Sequence, residues 1–448
     1  MMPAIPSKAQ PVAQADRINA IDILRGVALL GILMMNIPGF AMPERFSDVF
    51  HQNVHSVNFW TDAVITVLFE GKMRALFSMI FGVGILLFVM RKEQNGQPFK
   101  VLFFRRMGWL ILFGLIHAHV LLWMGDILYF YGVIGILAFL FRNMKAKYLA
   151  LGVPIVAIIG FVSSTIFYQH IRHQRLAYVE ATNAQKHHKV LSKAQTQAIA
   201  DWREAEKEYL PNQAEIAAHT RSMKSDYSGV AKYIRPLSWS FQTKYLVFEI
   251  GDVLALMMLG MALYKWKFFT GGWTTAQYQR AILIGYGIGL PLVIFDYYHD
   301  YQQTPGSAAA IRHLETQAIS WYGLIYPFQR ILLVMAHASV LLLIIRAGIW
   351  KGLTNRLAAV GQMAFTNYIM HTVFCTLYFF GYGLNKFAEL QFYQLYYMVA
   401  VIWLIQLVVS PIWLKYFLFG PLEWLWRSLT YWQLQPMRRS RQVHMAVV

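Results

Sequence analysis

A chain of 448 residues with 57% hydrophobic residues and only 14% Asp, Glu, Lys and Arg has the composition of a membrane protein. A soluble domain usually carries about 25% charged residues. The formal net charge of +18 is spread over short basic clusters between apolar runs, which argues against a nucleic-acid partner. The single cysteine, Cys375, excludes an intrachain disulfide and a thiolate metal site, and no metal is expected.

Residues 1–14 are polar and lack the apolar core and cleavage site of a signal peptide, so the first apolar run should remain as an anchor. A spanning helix needs about 20 mostly apolar residues. Runs at 21–42, 73–90, 107–122, 127–141 and 148–167 make a first set, and 60–69 is short enough to lie at the interface. After a polar segment, 169–235, come runs at 245–264, 281–295, 322–345, 357–380 and 396–417. With the N-terminus inside, 21 Lys and Arg residues fall in inner segments, and only Arg45, Arg312 and Lys386 in short outer loops. That asymmetry sets the orientation, with both termini cytoplasmic.

The expected fold is therefore an all-α polytopic membrane protein of about ten transmembrane helices. Residues 1–168 form a five-span half, 169–238 a helical extracytoplasmic insert and 239–448 a second five-span half. The insert is rich in Ala, Gln, Lys and Glu, which favour helix. Its adjacent His187 and His188 point to different helix faces and read as solvated surface.

Ionisable groups inside a membrane usually face the bundle interior or a watery cavity. In "IDILRGVALLGILMMN", Asp22 and Arg25 share a helix face, with Asn36 three turns further along the same stripe. They are either a structural ion pair or a holder of a phosphate-like anion. In "EGKMRALFSMIFGVG", Lys72 and Arg74 read as interfacial anchors or substrate-binding cations, while Gly82 and Gly84 permit close helix packing. In "RRMGWLILFGLIHAHVLLWMGDILYFYG", Arg106 and His117 lie on one face. Asp126 opens the next helix, either as a cap alone or orienting His117 as a general base. In "GQMAFTNYIMH", Asn367 and His371 form part of a polar stripe that is either interhelical glue or cavity lining. His51 and His55 sit in the first outer loop. The aromatic "FGPLEWLWRSLTYW" reads as an inner interfacial helix. No P-loop, dinucleotide fingerprint, HExxH or GxSxG occurs.

These motifs, in this order, resemble those of the YeiB-like family of bacterial membrane proteins, whose C-terminal half is a domain of unknown function. That family is similar to a superfamily of transmembrane acyltransferases that includes heparan-alpha-glucosaminide N-acetyltransferase. There a D-x-x-R-G motif opens a helix at the cytosolic side, and a lumenal-loop histidine is associated with acetyl transfer from acetyl-CoA. Asp22, Arg25 and Gly26 match the motif; His55, or secondly His51, is the counterpart of the histidine.

The resemblance implies a bacterial inner-membrane acyltransferase using acetyl-CoA or another acyl-CoA as co-substrate. Its acceptor would be a small molecule, glycan or lipid at the outer face. In this expectation Asp22, Arg25, Asn36 and Arg106 bind the acyl-CoA. His117 with Asp126, or His55, supplies the base, and Lys72, Arg74, Asn367 and His371 line the substrate path. Membrane lipids are the expected surroundings, and a homo-oligomer is compatible with the sequence. The alternatives are a small-molecule transporter or exporter, in which buried His, Asp and Arg carry protons, and a non-catalytic scaffold.

Overall fold

The computed structural model describes residues 18–43, 53–210, 213–303 and 306–439, and among these every regular element is a helix. In chain order these are α1 (Asn19–Ala41), α2 (Val57–Leu68), α3 (Lys72–Gln94), α4 (Phe99–His119), α5 (Leu128–Leu140), α6 (Ala146–Ala150) and α7 (Gly152–Lys186). Then come α8 (Lys193–Tyr209), α9 (Gln213–Met223), α10 (Tyr227–Ser240), α11 (Leu246–Lys265), α12 (Thr275–Ile284), α13 (Leu290–Gln303) and α14 (Ser307–Thr316). The chain ends with α15 (Tyr322–Ala347), α16 (Lys351–Gln362), α17 (Ala364–Phe379), α18 (Phe392–Tyr416) and α19 (Pro421–Tyr431).

Seven helical stretches among the described residues are long and apolar enough to cross a membrane: Asn19–Ala41, Val57–Gln94, Ala146–Lys186, Tyr227–Lys265, Thr275–Gln303, Tyr322–Ala347 and Phe392–Tyr416. A chain built this way is a multi-pass membrane protein. The other three runs expected to span are α4, α5 and the α16–α17 pair. α4 carries Lys100, Arg105 and Arg106, and α5 has only 13 residues. The run expected as one helix at 357–380 is broken: α16 stops at Gln362 and α17 starts at Ala364. The run at 281–295 is interrupted by a π-helical turn, Gly285–Gly289, and a second such turn, Phe241–Tyr245, joins α10 to α11. π-turns of this kind often mark functional or strained places in a helix.

α1 is the central helix, packed against α3, α16, α17 and α18. Its contact with α16 is backbone against backbone: a Cβ on Gly26 would stand 2.1 Å from the Leu357 carbonyl oxygen, and one on Gly361 would stand 1.9 Å from that of Asp22. Gly82 and Gly260 do the same between α3 and α11, whereas Gly84 has open space before it. Small residues permit this approach, which apolar attraction alone does not drive in lipid. The outer flank of α7 shows Ile155, Ile158, Ile159, Val162, Ile166 and Phe167 exposed, a stripe suited to lipid contact.

Arg25, the Arg91 end of α3, the start of α4 and Lys265 lie at one end of the bundle, here the arginine end; Lys265 Nζ donates to the Arg142 and Met144 carbonyls there. The insert sits at the opposite end. Arg235 donates to the His119 carbonyl (2.9 Å), Gly381 N to the Met223 carbonyl (2.9 Å), and Lys224 pairs with Glu389 (2.7 Å). At both limits of the insert the chain is continuous helix, since α7 runs on to Lys186 and α10 passes through its π-turn into α11.

His219 of α9 stacks on Tyr233 with centroids 4.5 Å apart and packs on Phe387 at 5.4 Å. Burial pushes its imidazole down from an ordinary 6.5 to about 4. The unfolded segment therefore binds a proton that the docked one refuses, and stability falls as pH drops from about 6.5 towards 4. Hydrogen exchange of α9 is expected to speed up over that window in the wild type and to lose this pH dependence in His219→Gln. An identical pH profile in the variant would refute the assignment.

Candidate functional site

A cavity of about 270 Å³ opens at the arginine end between α1, α3, α4, α5, α17 and α19. Four guanidiniums line it, Arg25, Arg91, Arg106 and Arg427, against two carboxylates, Asp22 and Glu423, a surplus of two positive charges. Above this mouth the walls are apolar and aromatic, including Phe77, Phe81, Phe88, Phe103, Leu110 and Trp426, and the blind end is formed by Ile127, Leu128, Tyr131 and Tyr368. The shape and lining suit a molecule with an anionic head and an apolar tail.

The four arginines are not equivalent. Arg25 donates to Asp22 Oδ1 (2.7 Å) and reaches the Gly361 carbonyl (3.4 Å), so the ion pair expected from their spacing is present and also ties α1 to the end of α16. Arg106 has no carboxylate within 4.0 Å among the described residues. Its guanidinium lies over the rings of Trp426 (3.9 Å) and Phe88 (5.3 Å), and its backbone carbonyl accepts from the Trp426 indole (2.9 Å). A planar guanidinium stacked between rings keeps its edge free for bidentate pairing with a phosphate or carboxylate. Trp426, buried in the structure, is therefore a wall of the cavity.

Glu423 explains the break between α16 and α17. Its carboxylate accepts from the backbone N–H groups of Phe365 (2.6 Å) and Thr366 (3.1 Å) and from the Thr366 hydroxyl (2.6 Å). It thus satisfies the open N–H groups that begin α17, a position where the helix dipole favours an anion. Burial raises its pKa, and these hydrogen bonds oppose that shift.

His117 and Asp126 meet as their positions suggested, Nδ1 to Oδ1 at 2.7 Å, both fully buried. Asp126 also caps α5, accepting from the N–H groups of Leu128 (3.1 Å) and Tyr129 (2.8 Å). The other ring nitrogen of His117 is engaged with the Thr372 hydroxyl at 2.7 Å. An Nδ1–H donated to the carboxylate, with Nε2 accepting from Thr372, satisfies every group. The pair stands behind the cavity wall, with the His117 ring 5.1 Å from that of Tyr368.

The remaining sequence-derived candidates are dispersed. Asn36 is half-buried on α1 and does not line the cavity. Asn367 bonds the Val360 carbonyl and Ser410 (both 3.1 Å), and His371 bonds Gln406 (3.0 Å), so both join α17 to its neighbours. His55 is exposed before α2, and His51 lies outside the described residues. Lys72 is buried at the far end, donating to the Thr66 carbonyl (2.7 Å), and Arg74 pairs with Glu249 and Asp252. Among the described residues no three His, Cys, Asp or Glu gather as metal ligands.

Arg91, Arg427, Glu423 and Trp426 are cavity residues that the sequence alone does not single out as a site. Arg330, Glu249 and Asp252 were likewise readable only as charges inside apolar runs, because their partners are on other helices.

Residues 263–433, from the end of α11 to beyond α19, match the family described as "Protein of unknown function (DUF418)". The chain is similar to the "Uncharacterized protein YxaH" of Bacillus subtilis (strain 168), 27% identical over 98% of this chain and all of that one. It is also similar to the "Uncharacterized protein YeiB" of Escherichia coli (strain K12), 26% identical over 93% of this chain and 96% of the relative. The "Uncharacterized 39.9 kDa protein in amylase 3'region" of Bacillus acidopullulyticus is 26% identical over 94% and 96%. No solved structure matches the chain.

Proposed function

On the premise that the chain belongs to the YeiB-like family, we propose that it is a membrane-embedded acyltransferase that takes its acyl donor, an acyl-CoA, into the arginine-lined cavity from the cytoplasm. The observation that carries this reading is Arg106: a guanidinium held between aromatic rings at the mouth of an apolar cavity, with no carboxylate within 4.0 Å among the described residues. The phosphates would pair with Arg106 and its neighbours and the acyl chain would follow the phenylalanine-lined wall. In the reaction the acceptor's hydroxyl or amine attacks the thioester carbonyl, the carbon–sulfur bond breaks, and the acceptor's proton ends on the departing thiol. His117, oriented by Asp126, is the base of this reading, and it gains access to the cavity only when Tyr368 moves aside. The inner membrane of a bacterium is the setting this reading requires.

The test is saturable binding of acetyl-CoA and longer acyl-CoAs to protein in nanodiscs, followed by release of free CoA with acceptor extracts. Folded protein that neither binds nor turns over any acyl-CoA would sink the reading. A second reading, export of an amphipathic anion, is favoured by the break between α16 and α17, which lies at the cavity wall; broken helices of this kind border the substrate sites of many transporters. Flux in sealed vesicles without covalent change would select it.

A further inference from the structure

At the far end of the bundle a second polar region lies between α3, α11 and α15. Arg74 pairs with both Glu249 and Asp252 (3.3 Å to the latter), and Asp252 pairs in turn with Arg330 (3.0 Å from Nη1). The Arg330 guanidinium lies over the Tyr326 ring (5.0 Å), and Tyr326 donates to Glu70 (3.1 Å). Gln329 donates to Asp296 (3.2 Å).

Two features mark this as a crevice and not a sealed salt-bridge core. Arg74, Glu249, Asp252 and Glu70 keep 29–35% of their side-chain surface open, whereas Lys72 and Arg330 keep 2%. Two atoms of nearly fully buried side chains, Arg330 Nε and Gln329 Oε1, have no hydrogen-bond partner among the described residues, and orphaned groups of that kind call for water or a ligand. Ionisable groups at such depth are stable chiefly where water reaches them.

This crevice and the arginine-lined cavity come within one pair of side chains of each other. Tyr131 forms part of the cavity's blind end, and its hydroxyl bonds Ser78 Oγ at 2.7 Å; Ser78 in turn donates to the Arg74 carbonyl at 2.9 Å. Both side chains are buried. On α3 the order is Arg74 in the crevice, Ser78 in the partition and Gly84 in the cavity, within ten residues, or about 15 Å of helix.

We infer that Tyr131 and Ser78 form a single septum between two aqueous chambers entered from opposite sides of the membrane, and that the far chamber is a binding site for a polar ligand that is uncharged or cationic. The charge preference follows from the whole cluster, in which four carboxylates, Glu70, Glu249, Asp252 and Asp296, face three cations, Lys72, Arg74 and Arg330. It follows also from the placing of two of those cations, Lys72 and Arg330, beneath the open surface. The near chamber has the opposite sign, so a ligand is sorted by charge according to the side from which it enters. The inference requires only that the bundle spans a membrane. It stands or falls separately from acyl transfer.

Thiol accessibility tests it, because Cys375, the natural cysteine, is buried and silent. Tyr326→Cys reports on the far chamber and Gly84→Cys, where a Cβ meets nothing within 4 Å, on the near one. In sealed vesicles of known orientation, a membrane-impermeant trimethylammonium thiosulfonate should label Tyr326→Cys from the far side. It should do so about tenfold faster than the sulfonate reagent of equal size. Gly84→Cys should be labelled only from the arginine side, with the anionic reagent faster. Adding Tyr131→Ala should make Gly84→Cys reactive from both sides, and Tyr131→Val, which stays apolar but is too short to reach Ser78, replaces it if the alanine variant does not fold. The proposal is overturned if Tyr326→Cys reacts from neither side, if the two reagents react with it equally, or if a folded Tyr131 variant leaves the sidedness of Gly84→Cys unchanged.

Discussion

Replacing Arg106 by glutamine should weaken binding of an acyl-CoA about 10- to 100-fold, or about 1.4–2.7 kcal/mol, without lowering the thermal midpoint. The two halves of this expectation have one cause. Arg106 is held by rings and has no carboxylate within 4.0 Å among the described residues, so its charge there lacks a strong partner until a ligand arrives. Arg427 and Arg25 line the same mouth and repel it further. Removing an uncompensated, half-buried cation relieves a cost in the empty protein, while removing one that pairs with phosphate loses a charge-assisted hydrogen bond in the complex. Arg106→Lys should recover only part of the affinity, because an ammonium neither stacks on Trp426 nor pairs in two places at once. Calorimetry in nanodiscs and thermal unfolding of the same preparations give both numbers. Arg25→Gln supplies the contrast: it strands Asp22 and frees the Gly361 carbonyl, so its loss of affinity should come with a lower midpoint. Equal affinity of wild type and Arg106→Gln would remove the anion site from this arginine.

How much of this was legible from the residues depended on whether the partner lay on the same stretch of chain. Asp22–Arg25 and His117–Asp126 were legible because each pair is three to nine residues apart, and spacing on a helix or across a tight turn predicts contact. The helical character, the polar insert and the close-packing role of Gly82 were likewise local properties. The break at Met363 was not legible. Nothing in "GQMAFTNYIMH" ends a helix, and the carboxylate that stabilises the new N-terminus arrives from Glu423, more than fifty residues later. The same holds for Trp426, whose amphipathic helix reads as interfacial until α4 is placed beside it. The far cluster shows the limit from another side. Arg330 has no acidic neighbour on its own helix, so only the packing of α15 against α11 discloses its partner Asp252.

Gly361→Ala should be among the most damaging single methyls that can be added to this protein, with a loss of about 3 kcal/mol or more and little folded protein in detergent extracts. A methyl in a helix ordinarily stabilises, since alanine exceeds glycine by about 1 kcal/mol in helix propensity. Here that gain is overwhelmed, because the new Cβ would stand 1.9 Å from the Asp22 carbonyl oxygen and 2.8 Å from Gly26 N. Both are backbone atoms of the central helix, which cannot swing aside as a side chain can. Gly26→Ala meets the Leu357 carbonyl at 2.1 Å in the same crossing, so the two helices must separate by more than an ångström in either case. Once they have separated for one methyl, the second costs little. The double variant should therefore lose much less than the sum of the singles, a coupling that independent sites do not show. Gly84→Ala is the control, because its Cβ meets nothing within 4 Å and the propensity gain stands alone. Thermal unfolding of the four proteins decides the matter, and a Gly361→Ala midpoint equal to that of Gly84→Ala would refute the close crossing. The D-x-x-R-G stretch then has a physical reading beyond its charges. Gly26 brings α1 against α16, and that approach is what lets Arg25 reach the Gly361 carbonyl and hold its place in the mouth of the cavity.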